Sequence, residues 1–134
     1  MSRSVLSSII VVLALVDGLI HLYLAISFFH LQIVARNQLS YLFPLDFIGL
    51  VVLVALFLYS ARSSLGLHRL VCAALIVYPI AEIAVWLSRN HPNPMGFLGD
   101  GTKAIEVVLL VLVIAHLLSL GTQQATNLAR GARA

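Results

Sequence analysis

The segment LALVDGLIHLYLA, residues 13–25, places two ionisable side chains in a run that is otherwise almost wholly apolar. Asp17 and His21 are four residues apart, so on a helix they lie about 40° apart around the axis and share one face. Charged groups are costly inside a membrane-spanning segment, and they tend to mark functional sites there. This pair could supply two metal ligands, or one ligand histidine with a carboxylate that orients it.

The acidic residues extend this pattern, because all five of them lie in or beside an apolar segment. Asp46, Glu82 and Glu106 are each expected within one or two helical turns of the same boundary, with His21 deeper and Asp17 one turn deeper still. Histidine and carboxylate side chains on facing helices are a common form of metal site. The predicted metal ligands are therefore His21, Asp17, Asp46, Glu82 and Glu106.

Four interpretations of these polar residues stay open. Nitrogen and oxygen ligands suit zinc, iron, manganese or copper(II), so the expected cofactor is a transition-metal ion. A second hypothesis is haem b held between His21 and His116, although their predicted depths match less well. A third is acid–base chemistry on a lipid or quinone by Glu82, Glu106 and His21. In the fourth, the side chains only hydrogen bond across helices, as in a non-catalytic subunit of a larger membrane complex.

The remaining histidines and the single cysteine are expected to be structural. His30, His68 and His91 are interpreted as ordinary polar residues of the interfaces or of a loop. Cys72 is interpreted as a small core residue, and one cysteine excludes an internal disulfide and any C-x-x-C motif. The sequence contains no nucleotide-binding loop, no Ser-His-Asp order and no H-E-x-x-H motif.

Composition indicates a multi-pass protein of the cell membrane. Of the 134 residues, 61% are hydrophobic and 10% are charged, whereas a soluble domain has about a quarter charged residues. The mean hydropathy is +1.06. The net charge is +3, but the basic residues are scattered between apolar runs, which is typical of topology signals and not of a nucleic-acid surface. The expected partners are lipid and either other membrane subunits or a second copy of the chain.

Four segments are long enough to cross a bilayer, which takes about 20 mostly apolar residues. They are expected over residues 5–34, 41–60, 65–88 and 102–120. Continuous hydrophobicity over these lengths favours helices over barrel strands. The predicted fold is an all-α integral membrane protein, a single antiparallel four-helix transmembrane bundle over residues 1–134. The first segment is too long for a cleaved signal peptide and lacks a clear cleavage site, so we expect it to be retained.

Two prolines and one long connection bear on where the predicted helices begin, bend and end. Pro44 is expected in the first turn of the second helix, and Pro79 is expected to kink the third. Residues 89–103 are rich in proline and glycine, and they are predicted to be a loop for at least part of their length.

The arginines and lysines predict the orientation. Five fall on the side of the two termini and three on the other: Arg3, Arg62, Arg69, Arg130 and Arg133 against Arg36, Arg89 and Lys103. No acidic residue lies on the first side. This bias favours both termini in the cytoplasm, with the long loop facing the periplasm or exterior.

A topology experiment tests this orientation. At the C-terminus, we expect a fused green fluorescent protein to fluoresce and a fused alkaline phosphatase to be inactive, because basic residues are retained on the cytoplasmic side. Within residues 90–100 we expect the reverse. Paired fusions of alkaline phosphatase and green fluorescent protein at both positions supply the measurement and its internal control. A C-terminus outside the cytoplasm would contradict the predicted orientation.

Overall fold

The computed structural model describes residues 3–30, 42–89 and 96–131, and these residues form four helices. The helices are α1 Arg3–His30, α2 Leu42–Ser63, α3 Leu65–Arg89 and α4 Gly96–Gly131. Ser64 alone separates α2 from α3, and no strand occurs within the described ranges. The prediction of an all-helical chain is confirmed, and residues 31–34 of the first predicted segment lie outside the described residues.

The fourth helix is longer than its predicted segment at both ends: it begins at Gly96, inside the proline- and glycine-rich stretch, and continues to Gly131. Its first residues include three glycines, which disfavour helix by about 1 kcal/mol each. Packing and local polar contacts offset this preference. Gly99 and Thr102 are buried, the Thr102 hydroxyl donates to the Gly99 carbonyl at 2.8 Å, and Lys103 forms an ion pair with Glu106 one turn later.

Both prolines lie at the predicted positions, one in the first turn of α2 and one inside α3. Pro44 is the third residue of α2, a position where the missing N–H has no helical acceptor to lose. Pro79 lies inside α3 and is buried. A proline there cannot donate to the carbonyl four residues earlier, that of Leu75, so α3 lacks one backbone hydrogen bond at this level.

Each helix packs against two neighbours. α1 contacts α2 and α4, and α3 contacts the same two helices. The core between them is formed by apolar side chains from all four helices, among them Ile10, Ala14, Leu50, Phe57, Leu75, Leu109 and Val113. This core lies between the four helices. Along the helix axes, one polar cluster described below lies towards each end of it.

Two glycines bring backbones and rings close together beside the ionisable residues of α1 and α2. A Cβ at Gly18 would lie 3.3 Å from Cδ2 of Phe47 and 3.6 Å from Cβ of Leu50, so α1 and α2 are close here and a larger side chain would require Phe47 to move. A Cβ at Gly49 would lie 3.4 Å from the Tyr78 ring. These contacts set the spacing at which side chains from α1, α2 and α3 can meet.

The outer surface of the four helices is apolar. Each contains a stretch long and apolar enough to cross a membrane: Ser4–Ser27, Phe43–Ser63, Leu65–Ser88 and Gly99–Thr122. Only 22% to 39% of the most apolar part of each helix is buried inside the structure. The rest is presented outward, with large side chains such as Leu19, Leu70 and Leu118 more than half exposed. So much contiguous apolar surface is unfavourable in water and is suited to lipid.

We expect Gly18→Leu to lower the free energy of unfolding by about 1–3 kcal/mol, because the added side chain overpacks the α1–α2 contact. Gly121→Leu is the matched control, since nothing lies within 4 Å of a Cβ at Gly121 and leucine is a better helix former. Thermal unfolding of both variants in detergent, followed by circular dichroism, gives the comparison. Equal stability of the two variants would contradict the close approach at Gly18.

Candidate metal centre

The five residues predicted as metal ligands come together in one place. Asp17 and His21 come from α1, Asp46 from α2, Glu82 from α3 and Glu106 from α4. They form two overlapping sets, His21 with Asp46 and Glu82, and Asp17 with Glu82 and Glu106. Within each set the potential ligand atoms all lie within 4.8 Å of one another. We call these five residues the carboxylate cluster, and Glu82 is the member that both sets share.

The ring of His21 is held by the main chain of its own helix. Its Nδ1 lies 3.0 Å from the Asp17 carbonyl oxygen and 3.8 Å from the Asp17 carboxylate atom Oδ1. A carbonyl oxygen can only accept, so Nδ1 donates, and in the neutral ring the lone pair is then on Nε2. The Asp17 carbonyl is thus the hydrogen-bond acceptor that fixes the His21 ring, and the Asp17 carboxylate lies at ion-pair distance from the same nitrogen.

The carboxyl groups are buried with few hydrogen bonds. Asp17 is 1% exposed and Glu106 is fully buried. Of the six carboxyl oxygens of Asp17, Glu82 and Glu106, five are buried without a hydrogen bond from any residue that the structure describes. Burying a polar group without a partner is costly, and burying a charge without one is more so. A purely structural role predicts hydrogen bonds across the helices. Glu82 lies near enough to Tyr78, Asp46 and Glu106 to interact with each of them, whereas neither carboxyl oxygen of Asp17 has a hydrogen-bond partner among the described residues.

Two neighbours stabilise part of the cluster. Lys103 donates to Oε1 of Glu106 from the preceding turn of α4. The Tyr78 hydroxyl lies 3.0 Å from the Asp46 carbonyl oxygen and 3.1 Å from its Oδ1, and it can donate to either. Lys103 adds one positive charge beside four carboxyl groups. When these groups are ionised the cluster therefore carries a net negative charge, which favours a bound cation.

The spacing of the cluster suits an ion. Ligand atoms around an ion with bonds of about 2.1 Å lie about 3–4 Å apart. The observed separations, all within 4.8 Å in each set, can reach that range through small side-chain rotations. The His21 nitrogen and the carboxylate oxygens could thus hold a metal ion.

A second polar cluster lies elsewhere and contains His116. His116 forms a contact of 2.9 Å between its Nε2 and Nε2 of His68, and their ligand atoms lie within 4.8 Å of the Cys72 thiol. We call His68, Cys72 and His116 the histidine cluster. Its contact on α2 is Ser60, whereas the carboxylate cluster uses Asp46 of the same helix, about 20 Å away along the axis. His21 and His116 are therefore not placed to ligate one haem, and that hypothesis gains no geometric support.

The histidine cluster is the part that sequence reasoning missed. His68 and Cys72 were interpreted as structural, yet their spacing of four residues puts them on one face of α3. This H-x-x-x-C spacing was the available signal, but the contribution of His116 from another helix is not visible in a single sequence. His91 and the side chain of His30 lie outside the described parts of the chain.

Comparisons with protein-family models, with curated proteins and with solved structures gave no match. The structure defines an all-helical protein with four helices apolar enough to cross a membrane, and histidine and carboxylate groups close enough to hold a metal.

The unpartnered oxygens predict an unusual stability effect. In the presence of a chelator, Asp17→Leu should leave the free energy of unfolding unchanged or raise it by about 1–3 kcal/mol, because it removes a buried carboxyl group that has no donor. Tyr78→Phe should lower it by about 1 kcal/mol, because it removes a hydrogen bond that is made. Thermal unfolding in detergent measures both. A large loss of stability in Asp17→Leu would show that this carboxyl group is a structural partner.

Proposed function

We propose that the chain is a multi-pass membrane protein that binds a divalent transition-metal ion inside an antiparallel four-helix bundle. The observation that carries the proposal is the convergence, from three helices, of five buried carboxyl oxygens without a hydrogen bond among the described residues. A metal ion supplies what these oxygens lack, because it bonds several of them at once and neutralises their charge. The ring of His21 adds a nitrogen ligand whose proton is held on the opposite side, as in many metal-binding histidines.

The antiparallel arrangement is supported by the order of the contacts along neighbouring helices. Near the beginning of α2, Asp46 contacts Tyr78 in the second half of α3. Near the end of α2, Ser60 contacts His68 at the beginning of α3. His68 in turn contacts His116 in the second half of α4. These contacts support opposite directions for α2 and α3 and for α3 and α4. An antiparallel bundle of this kind would have both chain ends on the side of the α2–α3 junction.

The depth of the cluster explains why an ion would be retained there. Counted from the ends of the apolar stretches that lie away from the chain termini, the five ligands are about 5–15 Å deep. A lone charge near the middle of a membrane costs about 3 kcal/mol on insertion scales. Binding a cation offsets this cost for several carboxylates together. If the termini are cytoplasmic, as the basic residues favour, the ion enters from the exterior side.

The donor set restricts the metal. One imidazole and up to four carboxylates are ligands for Mn²⁺, Fe²⁺ or Zn²⁺, and they are poor ligands for a soft ion such as Cu⁺. Association with other membrane subunits or with a second copy, and acid–base chemistry on a lipid or quinone, stay predictions from the sequence.

Metal titration of the purified protein tests the proposal. After chelation and removal of the chelator, the wild type should bind about one Mn²⁺ per chain in calorimetry, since Mn²⁺ prefers oxygen ligands. Glu82→Gln should weaken binding most, by at least about tenfold, because Glu82 belongs to both ligand sets. Asp17→Asn should also weaken it.

Asp100→Asn is the matched control, because Asp100 is an exposed carboxylate of α4 outside the cluster. It should bind Mn²⁺ as the wild type does. A wild type that binds neither Mn²⁺, Fe²⁺ nor Zn²⁺, or an equal loss of affinity in Asp100→Asn and Glu82→Gln, would overturn the proposal. The structural-subunit or acid–base interpretation would then be favoured.

A further inference from the structure

The histidine cluster has the composition of a site for a different kind of ion. Two imidazoles and one thiol, from His68, His116 and Cys72, are all buried and offer ligand atoms within 4.8 Å of one another. Nitrogen and sulfur ligands select zinc and softer ions, whereas carboxylates select harder ones. The two clusters are separated by about 20 Å along α2, so one ion cannot serve both.

We propose that His68, Cys72 and His116 form a second metal site, which binds Zn²⁺ through two nitrogens and one sulfur and leaves its fourth position open to a cavity. The site is independent of the carboxylate cluster and does not rest on the function proposed for it. Three protein ligands with one open position are the arrangement of zinc sites that bind an exchangeable water or ligand.

A hydrogen-bonded chain prepares His68 as a ligand. The Ser60 hydroxyl donates to the Phe57 carbonyl at 3.1 Å, so its oxygen is left to accept from Nδ1 of His68, 2.9 Å away. With its proton on Nδ1, the neutral His68 ring has its lone pair on Nε2. That Nε2 is the atom that meets His116. Partners of this kind, behind the ligand, fix the tautomer and orientation of metal-binding histidines.

The two imidazole nitrogens would have to move apart slightly to accept the ion, and each ring would have to rotate so that both lone pairs point at it, because the Nε2 atoms now face each other. Their Nε2 atoms are 2.9 Å apart, and two nitrogens bound to Zn²⁺ at about 2.0–2.1 Å in a tetrahedral site are about 3.3 Å apart. The rings are also held by Phe57, whose ring centre is 4.9 Å from that of His68 and 5.4 Å from that of His116. The ion would replace a histidine–histidine hydrogen bond, and the two rings would turn about centres that are already close together, 5.2 Å apart.

Binding involves a definite exchange of protons. In the ion-free site, Nε2 of His116 donates to Nε2 of His68, since the latter carries no proton in this tautomer. On binding, His116 keeps one proton but carries it on Nδ1, which frees Nε2 for the ion. The Cys72 thiol loses its proton to solvent and becomes the thiolate ligand. Binding of one Zn²⁺ therefore releases one proton, which comes from the Cys72 thiol.

An opening connects this site with the end of the bundle. A cavity of about 380 Å³ is lined by His68 and His116, together with serines at the start of α1 and residues of the α2–α3 junction. Arg62, which also lines it, is exposed. His68 is the fourth residue of the apolar stretch Leu65–Ser88, so the cavity would give access to the two histidines from the near side of the membrane.

Cobalt substitution tests the site, because Co²⁺ occupies zinc sites and its bond to a thiolate gives a charge-transfer absorption band. Cys72 is the single cysteine of the chain, so any such band reports this site alone. We expect the ion-free wild type to develop the band to about one Co²⁺ per chain, and Zn²⁺ to abolish it. Cys72→Ala should lack the band, and His116→Ala should weaken Co²⁺ binding at least about tenfold.

Two further variants separate this site from its surroundings. Ser60→Ala should keep the band but weaken binding about tenfold, because Ser60 positions His68 without touching the ion. Glu82→Gln should show the wild-type band, even though it loses Mn²⁺ binding at the carboxylate cluster. Absence of the band in the folded wild type at saturating Co²⁺, or its loss in Glu82→Gln, would overturn the proposal. The wild-type result decides even if a variant fails to fold.

Discussion

The burial of carboxyl groups inside an otherwise apolar assembly is the constraint on which the rest of the structure depends. An ionised carboxylate turned toward lipid would be strongly unfavourable, so Asp17, Asp46, Glu82 and Glu106 have to face the space between the helices. That requirement determines which side of each helix is inward. The apolar core, with Leu50, Leu75 and Leu109 among its members, then follows on the same faces, and the opposite faces are left for lipid.

Small residues make this arrangement possible. Gly18 lies next to Asp17 where α1 and α2 are close, and Gly49 packs beside the Tyr78 ring that hydrogen bonds to Asp46. Each glycine is therefore adjacent in space to a member of the carboxylate cluster or to its partner. In a membrane, where water gives helices little drive to associate, such close contacts are a main source of packing energy. The small residues at the helix contacts and the members of the carboxylate cluster are thus interleaved.

The sequence predicts the large features well, for a simple physical reason. Length and hydrophobicity identify four helices, and the cost of exposing ionisable side chains to lipid identifies the four carboxylates and the histidine that meet. Finer details depend on rotamers and helix rotation. The Asp17 carbonyl, and not its carboxylate, accepts from His21. His116 belongs with His68, which counting residues along each helix does not reveal. The early start of α4 was missed because tertiary packing overrides the local preference of glycine.

Pro79 has a mechanical consequence. It lies between the two groups of ligands that α3 carries, with His68 and Cys72 before it and Glu82 after it. Because the backbone hydrogen bond to Leu75 is missing, the helix is less stiff in bending here than elsewhere. The two halves of α3 can therefore tilt separately by small amounts. If the two clusters bind ions as proposed, tightening of the ligands at one end of α3 need not strain the ligands at the other, because the bend at Pro79 would take up the movement.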